Sequence, residues 1–211
     1  MKIALIGAGG TIGQRILKEA LDRGHQVTVI ARNPAGVSVQ NERLSVAAGD
    51  IFDAAGIAKA AEGHDAVISA YGPKTGEEQE LVRATRSLIE GVKRSGVGRL
   101  LAVGGAGSLE VAPGVKLIDM PGFPDFVKPI AAAHSDALDV LRQETELDWV
   151  SFSPAGLIEP GERTGRYRKD KDRVVVNEQG ESRISAEDYA VAMLDEAERP
   201  AYHRERFTAA N

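Results

Sequence analysis

The sequence predicts a doubly wound α/β fold, a mostly parallel sheet with helices on both faces, and three observations predict it. Short apolar runs rich in β-branched residues alternate with segments of helical period across brief connections. A glycine cluster closes the first of those runs and opens the first helical segment. Aromatic residues make up 5% of the chain while glycine numbers 23, a balance that suits aliphatic buried strands and tight turns better than an aromatic-rich sandwich.

Residues 2–7 (KIALIG) are an apolar run closed by glycine and predict a strand buried on both faces. From 11 to 23 the period turns helical, with Ile12, Ile16, Leu17, Ala20 and Leu21 on one face and Gly24 placed to end it. Residues 25–31 (HQVTVIA) predict a second strand, and 44–48 a weaker third, followed by Gly49 and Asp50. A helix is expected over 54–61, a fourth strand over 65–70, a long helix over 76–93 and a fifth strand over 99–103, which ends at Gly104 and Gly105. Such alternation implies parallel strands joined by right-handed crossovers.

The second half is less regular. Residues 108–126, rich in Pro and Gly, predict a loop. Helical spacing returns over 131–146, with Ala133, Ala137, Leu138, Leu141 and Leu147 as candidate buried positions. Residues 149–153 read as a strand running into Pro154, 173–176 as a short strand and 186–198 as an amphipathic helix, with Ser185 as its cap and Glu187 and Asp188 in its first turn. The expected sheet has about six or seven strands in the order 3-2-1-4-5-6, with the last strand beyond. No linker interrupts the pattern, so one domain over 1–211 is expected, its small substrate side built from loops in 105–130 and 153–185.

Formal net charge is −5, which argues against general nucleic-acid binding, and the short basic run from Arg166 to Lys171 reads as a solvated loop. The chain has no cysteine, which excludes thiol chemistry, disulfides and thiolate metal sites, and no metal is expected. The apolar run 3–6 is too short for a signal peptide, and no stretch approaches the roughly 18 apolar residues of a membrane-spanning helix. A cytoplasmic protein without nucleic-acid or membrane partners, monomer or homodimer, is the expectation.

The strongest chemical signal is Gly7-Ala8-Gly9-Gly10-Thr11-Ile12-Gly13, directly after a strand and opening a helix. Gly7 permits a sharp turn out of the strand, Gly10 lets main chain approach a diphosphate, and Gly13 lets the helix pack close to the sheet. With Gly9, Thr11 and Ile12, these residues put free amides and the positive helix end against phosphate, the arrangement of a Rossmann-type dinucleotide site. A mononucleotide P-loop is disfavoured, because no Gly-Lys-Ser/Thr ending follows.

Coenzyme choice rests on the end of the second strand. NAD sites usually place a carboxylate there for the ribose 2′-hydroxyl; this chain has Ala31-Arg32-Asn33 instead. A guanidinium suits a 2′-phosphate, so NADP(H) is favoured, NAD(H) remains open, and Arg15 is a second candidate. Asp50, with Ile51 beside it, either accepts from the adenine amino group or caps a turn. Ala70, Tyr71 and Gly72 end the fourth strand and are expected to line the crevice, with Tyr71 either facing it or packing under the loop.

The stretches KIALIGAGGTIG, VTVIARNP, AAGDIFD, HDAVISAYG, RLLAVGGAGSL, ALDVLRQETELDWVSFSPAGLIEPGERTGRY and SRISAEDYAVAMLDE together resemble the atypical short-chain dehydrogenase/reductases, in the NmrA-like NAD(P)H-binding group. Within it the likeness is to proteins provisionally assigned as NADH-flavin reductases and to the biliverdin reductase B/flavin reductase family. The resemblance implies that Gly104, Gly105, Ala106 and Ser108, then Ser153, Pro154, Ala155 and Gly156, approach the nicotinamide, and that His134 faces its ribose.

The Tyr-x-x-x-Lys pair of the larger superfamily falls at Ile130 and His134, and the Ser and His of the biliverdin type fall at Gly105 and Ala155. Those departures count against alcohol–ketone chemistry. They favour hydride transfer to a flavin, quinone or similar flat acceptor, with flavin as a substrate, since protein then mainly stacks and orients. A non-catalytic NADP(H)-binding redox sensor of NmrA-like type is the alternative. His134 either serves a ribose hydroxyl or proton relay or sits on a helix surface, and Ser108 either replaces the lost serine or caps a loop. Arg163 and Tyr167, beside Gly165, either flank the acceptor or belong to a plain loop.

Overall fold

The computed structural model describes all 211 residues. The first half follows the expected alternation: β1 (Lys2–Ile6), α1 (Thr11–Asp22), β2 (Gln26–Ala31), β3 (Leu44–Ala48), α2 (Ala54–Ala61), β4 (Ala66–Ser69), α3 (Glu80–Ser95) and β5 (Arg99–Val103). An excursion then carries a small hairpin, β6 (Glu110–Ala112) and β7 (Val115–Lys116), before α4 (Lys128–Arg142) and β8 (Asp148–Ser153). The chain ends with β9 (Leu157–Glu159), β10 (Arg168–Asp170), β11 (Arg183–Ser185), α5 (Ala186–Glu198) and β12 (Glu205–Ala210).

Eight strands form the central sheet in the order β10-β12-β8-β5-β4-β1-β2-β3. All neighbours in it are parallel except β10, which runs antiparallel along β12. This is the expected 3-2-1-4-5-6 order with a further parallel strand outside the sixth. That seventh strand is Glu205–Ala210, however, and not 173–176, where only an isolated bridge from Arg173 to Glu110 forms. Its two alanines and two charges hid it, because burial comes from tertiary neighbours and not from β-branched side chains. Arg168–Asp170, expected as solvated loop, is the edge strand, and 108–126 contains the hairpin as well as loop. Two helices also start elsewhere than expected. Gly76 adopts φ 87°, so α3 begins only at Glu80. Pro129 in the first turn moves the start of α4 back to Lys128.

The layers follow from apolar periodicity. Leu17, Ala20 and Leu21 of α1 pack with Tyr189, Ala190 and Met193 of α5 against one sheet face. Ile57, Leu88, Val92, Leu138 and Leu141, from α2, α3 and α4, pack on the other with Trp149. Phe152 stacks between Tyr189 and Phe207 at centroid distances of 3.9 and 4.2 Å, which binds the late strands to α5. No helix is long and apolar enough to cross a membrane.

Candidate dinucleotide site

The site begins at the carboxyl end of β1. Gly7 has φ 82°, and a Cβ there would lie 2.4 Å from the Ala70 carbonyl oxygen, so the β1 and β4 ends touch and admit no side chain. A Cβ on Gly13 would lie 2.0 Å from the Gly7 carbonyl oxygen, which seats the first turn of α1 directly on the strand end. Nothing lies within 4 Å of a Cβ built on Gly9, so that glycine answers no crowding within the chain.

Gly10 caps α1 without a side chain, and the first turn holds no acidic residue. The amides of Thr11, Ile12 and Gly13 have no hydrogen-bond acceptor within the chain, whereas that of Gly10 reaches Gly7 O at 3.2 Å and that of Gln14 reaches Gly10 O at 2.9 Å. Unpaired amides at a positive helix end with no competing carboxylate are suited to an anion.

Arg32 is exposed at the end of β2 and makes no ion pair or hydrogen bond. The other candidate cations are engaged. Arg15 Nε donates to Glu187 Oε1 at 3.0 Å, and Arg163 donates to both carboxylate oxygens of Glu19 at 2.7 and 2.8 Å. Those hydrogen bonds, with Arg23 adding another, hold the Glu19 pKa down at about 2 despite burial. Tyr167 donates to Asp195 Oδ2 at 2.5 Å, and burial with that carboxylate raises its pKa. Arg163 and Tyr167 are therefore held in loop anchoring. The acids at the start of α5 do the same: Asp188, fully buried, accepts from the amides of Thr164 and Gly165 at 2.8 and 2.7 Å, while Ser185 caps the helix as expected.

Asp50 accepts from the Phe52 amide at 3.0 Å through Oδ1, a turn-capping contact that leaves Oδ2 without a partner. The Ile51 side chain is buried with Ile30 and Ile57, so only its main chain can meet a ligand. Tyr71, half-buried, meets Phe52 edge-on at 6.0 Å and packs against Leu81, Ala133 and Ala137. Burial, with nearby Glu80, raises its pKa, and its hydroxyl has no hydrogen-bond partner. Phe52, which the sequence did not single out, carries Arg83 stacked 4.0 Å above its ring. Its signal was an aromatic two residues past Asp50. Gly72 lies exposed just beyond.

At the other end of the crevice, the Gly104 amide donates to Phe152 O at 2.8 Å, and a Cβ there would crowd Ser151 Oγ at 2.8 Å. A Cβ on Gly105 would lie 2.6 Å from the His134 Cβ, so α4 packs directly on this turn. Ser153, Pro154 and Ala155 are buried at the β8 end, and Ala106 is half-buried. His134 is half-buried and its ring makes no hydrogen bond; burial lowers its pKa to about 4, so the ring is neutral at pH 7. Ser108 does not join it. Its Oγ accepts from Arg206 Nη1 at 2.8 Å, at the outer edge of the sheet. A separate groove of about 750 Å³, with Leu17, Leu21, Val37 and Val39 along it, flanks α1 and meets the phosphate turn only at Ala8 and Gly9.

A doubly wound parallel sheet whose first crossover opens with an unoccluded glycine turn defines a Rossmann-type nucleotide-binding protein. Residues 7–200 match the model of a family described as NAD(P)H-binding, and the chain belongs to that family. Three solved structures are similar over the full length. A Burkholderia pseudomallei protein, provisionally called exported, is 51% identical with TM-score 0.92, covering 100% of both chains. A Bacteroides thetaiotaomicron protein, provisionally called an epimerase, is 46% identical with TM-score 0.93, covering 99% of this chain and 96% of its own. A Streptococcus pneumoniae protein, provisionally called an NADH-flavin reductase, is 34% identical with TM-score 0.89, covering 100% and 99%. Their descriptions differ, so kinship settles the fold and the coenzyme class and leaves the reaction to the site.

Proposed function

We propose that the protein is an NADPH-preferring reductase that delivers hydride to a flat acceptor, a flavin or a quinone. One observation carries this reading: at the nicotinamide end, His134 is neutral and unpaired against Gly105, and Ile130 stands where related dehydrogenases hold tyrosine. Such a surface orients two stacked rings better than it protonates an alkoxide.

The roles divide by position. The amides of Thr11, Ile12 and Gly13, with Gly7, Gly9 and Gly10 clearing the approach, hold the diphosphate. Arg32 pairs with a 2′-phosphate, and the free Oδ2 of Asp50 accepts from the adenine amino group, with Ile51 main chain, Ala70, Tyr71 and Gly72 along the middle. Gly104, Gly105, Ser153, Pro154 and Ala155 wall the nicotinamide. The reduced coenzyme, when bound, supplies the hydride. His134 serves a ribose hydroxyl or holds a water at the acceptor through a neutral ring nitrogen. Ser108 is given an anchoring role and no proton-transfer step, because its oxygen accepts from Arg206 and no hydrogen bond joins it to His134.

A cytoplasmic location, where reduced coenzyme is supplied, and action as a monomer or homodimer go with this reading. The test is NADPH consumption with FMN or a soluble quinone in excess. Turnover well above the uncatalysed rate supports the reductase. Saturable NADPH binding with no consumption removes it and favours a coenzyme-sensing regulator.

A further inference from the structure

Arg206, on a strand otherwise buried among apolar neighbours, is itself only 5% exposed. A guanidinium held that deep is costly unless its donors are used. Nε donates to Asp172 Oδ1 at 3.0 Å, Nη2 reaches the same oxygen, and Nη1 donates to Ser108 Oγ at 2.8 Å. Main chain reinforces the junction: the Glu110 amide donates to Asp172 O at 2.8 Å, and the Val174 amide to Glu110 O at 2.9 Å. The buried cation thus gathers two loops, one of them the excursion that leaves β5 and returns as α4.

From Ser108 the contacts lead back to the crevice. A Cβ on Gly107 would lie 2.8 Å from the Ala131 Cβ, and one on Gly105 would lie 2.6 Å from that of His134. Ala131 and His134 are one turn apart on α4 and share a face. Leu109, next to Ser108, is fully buried and keeps the stretch from sliding.

We propose that Arg206 is a positioning residue of the acceptor wall: through Ser108 it holds Gly105–Gly107 against α4 and so sets the depth at which His134 meets the nicotinamide end. The claim rests on the reductase reading for its kinetic consequence, but its geometric content stands apart from turnover.

Ser108→Ala and Arg206→Lys test it, each first checked by thermal melting for a cooperative fold. His134 is followed by NMR titration of its ring protons; the chain has four histidines, and a His134→Gln spectrum assigns the signal. In both variants the His134 titration moves up from about 4 toward the ordinary range near ~6.5, as water reaches the ring. The KM for FMN rises about tenfold while NADPH affinity changes by less than about twofold. A buried arginine with a purely structural role lowers the melting temperature and moves neither reading. Folded variants in which the His134 titration and the FMN KM both match the wild type overturn the proposal. If the wild type itself turns over no acceptor, the reductase reading fails, and the titration alone decides whether Arg206 positions His134.

Discussion

Gly105 and His134 meet without room for a side chain between them: a Cβ at position 105 falls 2.6 Å from the His134 Cβ and 2.9 Å from its Cγ. The loop after β5 and the helix that returns from the excursion are therefore locked together at this contact.

Replacing Gly105 with serine, the residue implied there by the biliverdin-type resemblance, must push α4 outward or rotate the His134 ring. Overpacking of this kind costs about 1–3 kcal/mol, and a shift near the reacting atoms about a hundredfold in rate. Gly105→Ser is expected to lower both the melting temperature and the acceptor kcat/KM. A variant with wild-type kinetics would show that His134 has no part in the reaction.

Two glycines of the phosphate turn separate fold from binding. Gly13→Ala places a methyl 2.0 Å from the Gly7 carbonyl oxygen and is expected to cost several kcal/mol, on the order of the largest overpacking effects, or to prevent folding. Gly9→Ala meets nothing within 4 Å and is expected to leave stability within about 0.5 kcal/mol of the wild type. Its methyl lies where the diphosphate is expected, so the NADPH Kd rises about tenfold or more, readable by calorimetry. Unchanged affinity would move the phosphates away from this turn.

Arg32 lacks any partner within the chain, so removing it disturbs no internal pair. Arg32→Ala is expected to weaken NADPH by about 1.5–3 kcal/mol, roughly ten- to a hundredfold, and NADH much less. Arg15→Ala serves as the contrast: it breaks the Glu187 pair and shows little coenzyme preference. Equal losses for both coenzymes in Arg32→Ala would sink the NADPH assignment.

Glu19 links acid stability to the 160s loop. Its carboxyl is held down from 4.5 to about 2 by Arg163 and Arg23. A carboxylate depressed in the folded state stabilises fully above its unfolded pKa and loses that contribution as pH falls through the folded value. Stability tied to this site is thus lost from about pH 4.5 down to about 2. Glu19→Gln, melted across that window, is expected to be less stable at neutral pH and to show a shallower acid loss. A slope identical to the wild type would mean that the Arg163 clamp carries no energy.

Local pattern was enough for much of this protein. The strand order through the sixth strand, the start of α1 and the cap of α5 were legible because periods of two and 3.6, a glycine cluster and a serine before two acids are properties of neighbouring residues. Strand Glu205–Ala210 was not legible, since its charges and alanines become strand only when β8 lies along Glu205–Thr208 and β10 along Thr208–Ala210. The hairpin within 108–126 was not legible either, because Pro113 and Gly114 signal a turn without saying what pairs across it.

Taken by itself, the sequence determined a glycine turn between the first strand and the first helix, an arginine and no carboxylate just after the second strand, and isoleucine, not tyrosine, at position 130. Only the tertiary structure decided which charges are free for a ligand. Arg15 and Arg163 are claimed by carboxylates 172 and 144 residues away, Ser108 by a guanidinium 98 residues away, and Arg32 by none. The reason is physical: backbone preference acts over a few residues, whereas pairing of buried charge depends on which distant segments the core brings together.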